Sequence, residues 1–219
     1  MAAAEAVGGS AEDALMPACA IELLHSYTLV HDDLPAMDND LLRRGKPTVH
    51  AAYGEALGIL AGDSLQAYAF AVLVKTPEKK PGTLPKLFAA LGRAATGVVR
   101  GQVEDTAFAA NPTREIVDFV FTHKCGDLFV AAATMGALAG GASDEAAGRL
   151  AAYGAKLGVA FQIEDDLLDK DAPQDPEAPE LSCLKVMSEA DARVWIKSCT
   201  DEAVAALDGL PGDTAPLAA

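Results

Sequence analysis

Aromatic residues make up only 5% of this sequence, with a single tryptophan, and lysine plus arginine number 17 against 32 aspartates and glutamates. Each shortage excludes something. A formal charge of −15 has the wrong sign for neutralising nucleic-acid phosphates, so no nucleic-acid partner is expected. Four cysteines, Cys19, Cys125, Cys183 and Cys199, form no Cys-x-x-Cys pair. That pattern reads as reduced thiols in a cytoplasmic protein, not as a disulfide framework or a zinc site. Gly, Asp, Glu or Arg interrupts every apolar stretch before the ~20 residues that a membrane span needs, so no span is expected. The opening MAAAEAVGGS lacks the charged n-region and long apolar h-region of a secretory signal. Strand-like alternation never runs beyond a few residues, and no internal repeat is found.

What remains is aliphatic. Hydrophobic residues form 51% of the chain, too many for a disordered acidic tail, and much of that share is alanine, the strongest helix former. The expectation is one all-α domain over residues 1–219. The spacing predicts helices over 11–33, ended near Leu34 by Pro35; from His50 or Ala51 to Val74; over 84–110; from Thr113 to Leu138; from Ser143 to Asp169; and over 188–207. Residues 40–47 read as a polar, basic loop with Gly45 and Pro47. Residues 170–181, KDAPQDPEAPEL, carry three prolines and read as an acidic loop through which no regular helix passes. Both ends read as cut: AAAEAVGG resembles a helix tail running into a turn, and PGDTAPLAA stops without closing an element.

Two aspartate clusters carry the chemistry. One is His31-Asp32-Asp33-Leu34-Pro35-Ala36-Met37-Asp38-Asn39-Asp40; the other is Gln162-Ile163-Glu164-Asp165-Asp166-Leu167-Leu168-Asp169. Each ends an apolar helix. Asp165 and Asp169, four apart, share a helical face, where like charges cost stability unless something positive lies between them. A single acidic triplet is usually a solvated helix end; two ending separate aliphatic helices point to a hard divalent cation, Mg²⁺ or Mn²⁺, completed by phosphate oxygens. Arg43, Arg44 and Lys46 follow the first cluster closely, and Lys124 lies between the two. Arginine forks match diphosphate oxygens, and lysine adds a point charge.

HDDLPAMDNDLLRRGKPTVH resembles the first aspartate-rich motif of the trans-isoprenyl diphosphate synthases, and FQIEDDLLD resembles their second. Gly62-Asp63, Gly101-Gln102 with Asp105, and His123-Lys124 fall between them in the family's order. Cys125 stands where the family usually has threonine, and the acidic 170–181 segment replaces a basic loop. The resemblance implies an antiparallel helix bundle around a central cavity, with the clusters facing each other at its mouth. It implies three Mg²⁺ ligated by Asp32, Asp38 and Asp165, with Asp33, Asp166 and Asp169 in support. Arg43 and Lys124 would grip an allylic diphosphate, while Arg44 and Gln162 would face isopentenyl diphosphate. The implied reaction is ionisation of the allylic diphosphate, attack by the isopentenyl double bond and loss of a proton to the departing diphosphate. Tyr27 and Thr28, five and four positions before Asp32, would set product length. An aromatic there implies farnesyl diphosphate, and a small residue implies geranylgeranyl diphosphate. A homodimer is implied by the same likeness. Two alternatives stand beside it: a non-catalytic or impaired synthase-like subunit, and a class I terpene cyclase, whose second metal motif usually mixes Asn, Ser and Glu.

Overall fold

The computed structural model describes residues 1–171 and 181–219; most of the acidic loop expected over 170–181 therefore lies outside the described residues. A short helix α1 (Ala2–Glu5) and a 3₁₀ turn opened by a Ser10–Asp13 capping box lead into α2 (Leu15–Asp32). Burial of Ala20, Leu24 and Tyr27 on α2 follows the helical period. Next comes a two-residue antiparallel ribbon, β1 (Leu42–Arg43) with β2 (Lys46–Pro47), which pairs Leu42 with Pro47 and Arg43 with Lys46. Arg44 and Gly45 form its tip with φ of +52° and +74°, both signs that a tight hairpin turn demands. The expected loop is thus a hairpin, and two residues per strand are too few to leave an alternation in the sequence.

The helix expected from His50 to Val74 is two helices, α3 (Val49–Tyr53) and α4 (Glu55–Leu73). Gly54 separates them at φ +91°, a conformation open to glycine and costly for other residues. Then follow α5 (Thr83–Phe108) and α6 (Arg114–Val120), whose N-terminus is capped by the Thr113 side chain. The helix expected from Thr113 to Leu138 is interrupted by a π-helical turn at Phe121–Gly126, after which α7 (Asp127–Gly140) resumes. The apolar pattern spans all three pieces, so periodicity alone could not show the extra residue in the turn. Ser143 caps α8 (Asp144–Leu168), and Ser188 caps α9 (Glu189–Ala206); a last short helix, α10, covers Ala215–Ala218.

The helices pack α2 on α4, α5 on α7, α7 on α8, and α8 on α9. Leu24, Leu73, Leu87, Leu91, Met135 and Leu150 are fully buried in the main core, each contributing ~1.5–3 kcal/mol. A second core, around Val117, Phe121, Ile163 and Leu167, closes the end of the bundle where α8 stops. Helix α4 is different. It has a mean hydropathy of 1.4 and, among the described residues, is the one helix long and apolar enough to cross a membrane. Asp63 interrupts it midway, its Gly58, Gly62, Ala69 and Leu73 face inward, and Leu57, Leu60 and Tyr68 are exposed.

Candidate active site at the ends of α2 and α8

Helix C-termini carry partial negative charge and disfavour carboxylates, yet both aspartate clusters sit at such ends. At the first, the chain folds back over the last turn of α2: the Asp38 N–H donates to the Asp32 carbonyl (2.9 Å) and the Asn39 N–H to the Leu34 carbonyl (3.1 Å). Asn39 takes the left-handed conformation, φ +55°, that the reversal needs. Asp38 is thereby brought above Asp32. Burial pushes the Asp32 carboxyl up to about 6; Lys124 and Arg43 oppose that shift, while Asp38 and Asp105 add to it. Asp38 lies at the surface, but desolvation of its carboxylate by the fold-back raises it too, and Asp105 and Asp40 do the same.

The ribbon returns Arg43 to the cluster. Its Nε and a terminal nitrogen lie 2.7 and 2.6 Å from the same Asp33 oxygen, and Asp40 is 3.2 Å away. Asp33 is buried, so this pair is fixed. Thr48 Oγ1 donates to the Asp40 carbonyl (2.7 Å) and closes the hairpin's base. Arg44, at the tip, is exposed. On the other flank, His31 Nε2 donates to the Ile59 carbonyl (3.1 Å), and its ring meets Tyr27 edge-on at 5.0 Å. A Cβ on Gly62 would lie 2.1 Å from that ring. Gly62→Ala should therefore lower stability by about 1–3 kcal/mol, read from the denaturation midpoint. Thr28 spends its hydroxyl on the His25 carbonyl (2.8 Å).

Between the clusters lies the π-helical turn. Lys124 Nζ is 2.5 Å from Asp105 of α5, both side chains largely buried. Desolvation works against the ammonium, but Asp105 and Asp32 outweigh it and hold Lys124 charged. Next to it, the Cys125 thiol donates to Gln162 Oε1 (2.7 Å). Burial pushes that thiol up to about 12; Lys124 opposes the shift, and Asp105, Asp165 and Asp166 add to it. Asp32 of the first cluster thus acts on Lys124, and Asp165 and Asp166 of the second act on Cys125, so neighbouring residues of this turn each feel one cluster.

At the second cluster, Asp165 and Asp169 are exposed; desolvation, then Asp169 and Asp166, raise the Asp165 carboxyl. Asp166 is buried and differently used. One oxygen accepts from the Cys183 N–H (2.6 Å) and Ser182 Oγ (3.1 Å), and the other from Gln162 Nε2 (3.5 Å). Asp166 so pins the segment that re-enters before α9. Asp166→Ala should cost about 2–3 kcal/mol by orphaning the Cys183 N–H, again read by denaturation.

The sequence-derived set therefore divides. Asp32, Asp38 and Asp165 present carboxylates with raised proton affinity and, among the described residues, no ion pair of their own, whereas Asp33 and Asp166 are held by protein groups. Asp105 is the residue to add. Its signal was present, three positions after Gln102, but only the packing of α5 on the Lys124 turn shows what it holds. Among the described residues no three acidic, imidazole or thiol groups already converge on one point. All-oxygen donors that repel one another, with a coordination shell left open, suit a hard divalent cation that takes further oxygens from water or phosphate. Two surface clefts, of about 320 Å³ beside Arg149 and about 510 Å³ beside Thr134, contain no aspartate of either cluster.

Comparison with known proteins shows which family the chain resembles. The family model described as polyprenyl synthetase matches residues 1–177. A geranylgeranyl diphosphate synthase of Cyanophora paradoxa is 45% identical over 174 residues, 77% of this chain and 58% of that protein. A farnesyl diphosphate synthase of Geobacillus stearothermophilus is 43% identical over 169 residues, 75% of this chain and 57% of its own. The chain thus spans just over half the length of these relatives. Among solved structures, an FPP/GFPP synthase from Zymomonas mobilis superposes with a TM-score of 0.84 at 36% identity, covering 99% of this chain and 76% of that one. A geranyltransferase from Helicobacter pylori, complexed with magnesium and isoprenyl diphosphate, gives 0.82 at 31% identity, covering 99% and 77%.

Proposed function

Because the chain belongs to the polyprenyl synthetase family, we propose that it is a short-chain trans-prenyl transferase, joining isopentenyl diphosphate to dimethylallyl or geranyl diphosphate. The observation that carries this reading is the pair of carboxylate clusters at two helix C-termini, the first acting on Lys124 of the buried Lys124–Asp105 pair and the second on the adjacent Cys125. Asp32, Asp38 and Asp165 would hold Mg²⁺, with Asp169 beside them. Asp33 and Asp166 support the set from behind, by fixing Arg43 and the Ser182–Cys183 segment. Bound Mg²⁺ supplies Lewis-acid stabilisation of negative charge on the leaving diphosphate. Lys124, held charged and desolvated, adds a fixed positive group for the same charge. Arg43, once freed in part from Asp40, would offer its fork to the allylic diphosphate; the exposed Arg44 and the half-buried Gln162 would face the isopentenyl side. The allylic C–O bond breaks, the isopentenyl double bond attacks the cation, and the departing diphosphate accepts the proton. No side-chain base is required.

The buried Tyr27 ring, set against His31, favours farnesyl over geranylgeranyl diphosphate as the product. Incubation with Mg²⁺, labelled isopentenyl diphosphate and each allylic diphosphate tests both points. Absence of any elongated product would defeat the enzyme reading, and a twenty-carbon product the role of Tyr27.

The exposed Leu57, Leu60 and Tyr68 of α4, with Val99 and Val103 of α5, are best covered by a second copy of the chain. Leu60→Glu should convert a dimer to a monomer in light scattering; an unchanged mass would exclude this face.

A further inference from the structure

The π-helical turn at Phe121–Gly126 is seated by glycines on both sides. On α5, Gly101 lets the Lys124 backbone come so close that a Cβ there would lie 2.3 Å from its nitrogen. One turn earlier, a Cβ on Gly97 would lie 1.8 Å from the Asp127 carboxylate. On α8, a Cβ on Gly158 would lie 2.6 Å from Gly126. The turn has no spare room, so whatever sets its register sets where Lys124 points.

One polar contact can set it. Asp127, the first residue of α7, places the oxygen that faces Gly97 2.8 Å from His123 Nδ1. A carboxylate only accepts, so the imidazole nitrogen donates. The bond joins the middle of the π turn to the start of the α-helix that follows, across the residue where the hydrogen-bond pattern changes. The imidazole also packs on an aromatic side chain. Its ring lies 4.4 Å from that of Phe119, and Arg100 covers Phe119 at 5.3 Å. Nothing in the proposed chemistry uses His123 or Asp127 directly.

We infer that Asp127 is a positioning residue: wedged between Gly97 and His123, its carboxylate fixes the π turn and thereby holds the Lys124 ammonium beside Asp105 and Asp32. This inference rests on the reading that Lys124 binds the allylic diphosphate. Asp127→Ala should leave the turn free to shift towards α-helical pairing and carry Lys124 away from Asp105. Asp127→Asn should restore the arrangement, because its amide oxygen still accepts from His123. Gly97→Ala should act like Asp127→Ala, because its methyl group takes the space of the carboxylate. In the Gly97→Ala/Asp127→Ala pair the methyl group meets no carboxylate, so the two losses should not add.

The test uses the full chain with Mg²⁺. Asp127→Ala should raise KM for the allylic diphosphate about tenfold, the effect of one lost charge-assisted hydrogen bond, with KM for isopentenyl diphosphate unchanged. Asp127→Asn should return it close to the parent value. Backbone hydrogen exchange supplies an independent readout: amides of residues 121–126 should exchange about tenfold faster in Asp127→Ala and at the parent rate in Asp127→Asn. An equal rise in both KM values, additive losses in the double variant, or unchanged exchange in Asp127→Ala would overturn the inference. If the parent chain gives no elongated product, the prenyl transferase reading fails while the exchange measurement still decides the role of Asp127.

Discussion

Asp32→Asn should make the metal-free protein more stable while abolishing elongation. A carboxyl raised from 3.8 to about 6 by burial resists folding once ionised. The sign follows from proton binding: between pH 4 and 6 the folded state binds more protons than the unfolded one, so the stability contributed by this group falls as pH rises, and the loss is complete above pH 6. Two pKa units correspond to about 3 kcal/mol at most, reduced by the partial exposure of the residue to about 1–2 kcal/mol. The asparagine has no such penalty. Chemical denaturation at pH 8 should therefore show a gain of about 1–2 kcal/mol, vanishing near pH 4. Adding Mg²⁺ with inorganic diphosphate should raise the denaturation midpoint of the parent protein but not of the variant, because ligand binding to the folded state stabilises it by mass action. Turnover should fall by a factor of about 10³ or more, the scale of losing a principal charge-stabilising group; Asp165→Ala should do the same. A parent protein that gains no stability from Mg²⁺ and diphosphate would refute the metal assignment.

Replacing Lys124 by methionine has the opposite effect on stability. Lys124 and Asp105 are largely buried together at 2.5 Å, and the lysine also acts on Asp32 and Asp38. Its removal leaves three carboxylates close together, with Arg43 still acting on Asp32 and Asp38. Breaking such a pair costs about 3–5 kcal/mol when fully buried, and about 2–3 kcal/mol is expected here since a quarter of the lysine side chain is exposed. That cost should shrink by pH 5, where the Asp32 carboxyl, raised to about 6, takes up a proton. Adding Asp105→Leu to Lys124→Met should recover stability, because a buried ion pair is replaced by packing apolar groups. It should not recover activity: kcat/KM for the allylic substrate should stay down by a factor of about 10². Recovery of both together would mean that Lys124 matters only to the fold.

The sequence already made both aspartate clusters visible, since each interrupts an aliphatic helix and residue type alone identifies the chemistry. Most helix ends were also legible, because Ser143 and Ser188 are capping residues ahead of apolar periods. Less visible were the three places where the backbone departs from a regular element. Gly54 splits one helix, the Arg44–Gly45 turn makes a hairpin of a loop, and the π turn displaces Lys124 within an unbroken apolar pattern. Each is a one- or two-residue event, and hydrophobic periodicity averages over longer windows.

Local chemistry in the sequence thus determined the all-α class, the two acidic helix ends and the cations nearby. Tertiary structure decided how those groups are shared. Asp33 is held by Arg43, Asp166 by Cys183, and Lys124 by Asp105. None of these pairings follows from spacing along the chain, because each depends on how closely two helices or a helix and a loop approach. For the Lys124 turn that approach needs Gly101, whose missing side chain matters only once the partner is in place. Among the described residues Asp32, Asp38 and Asp165 are left without such a partner, and that remainder, fixed by packing, is what defines the proposed metal site.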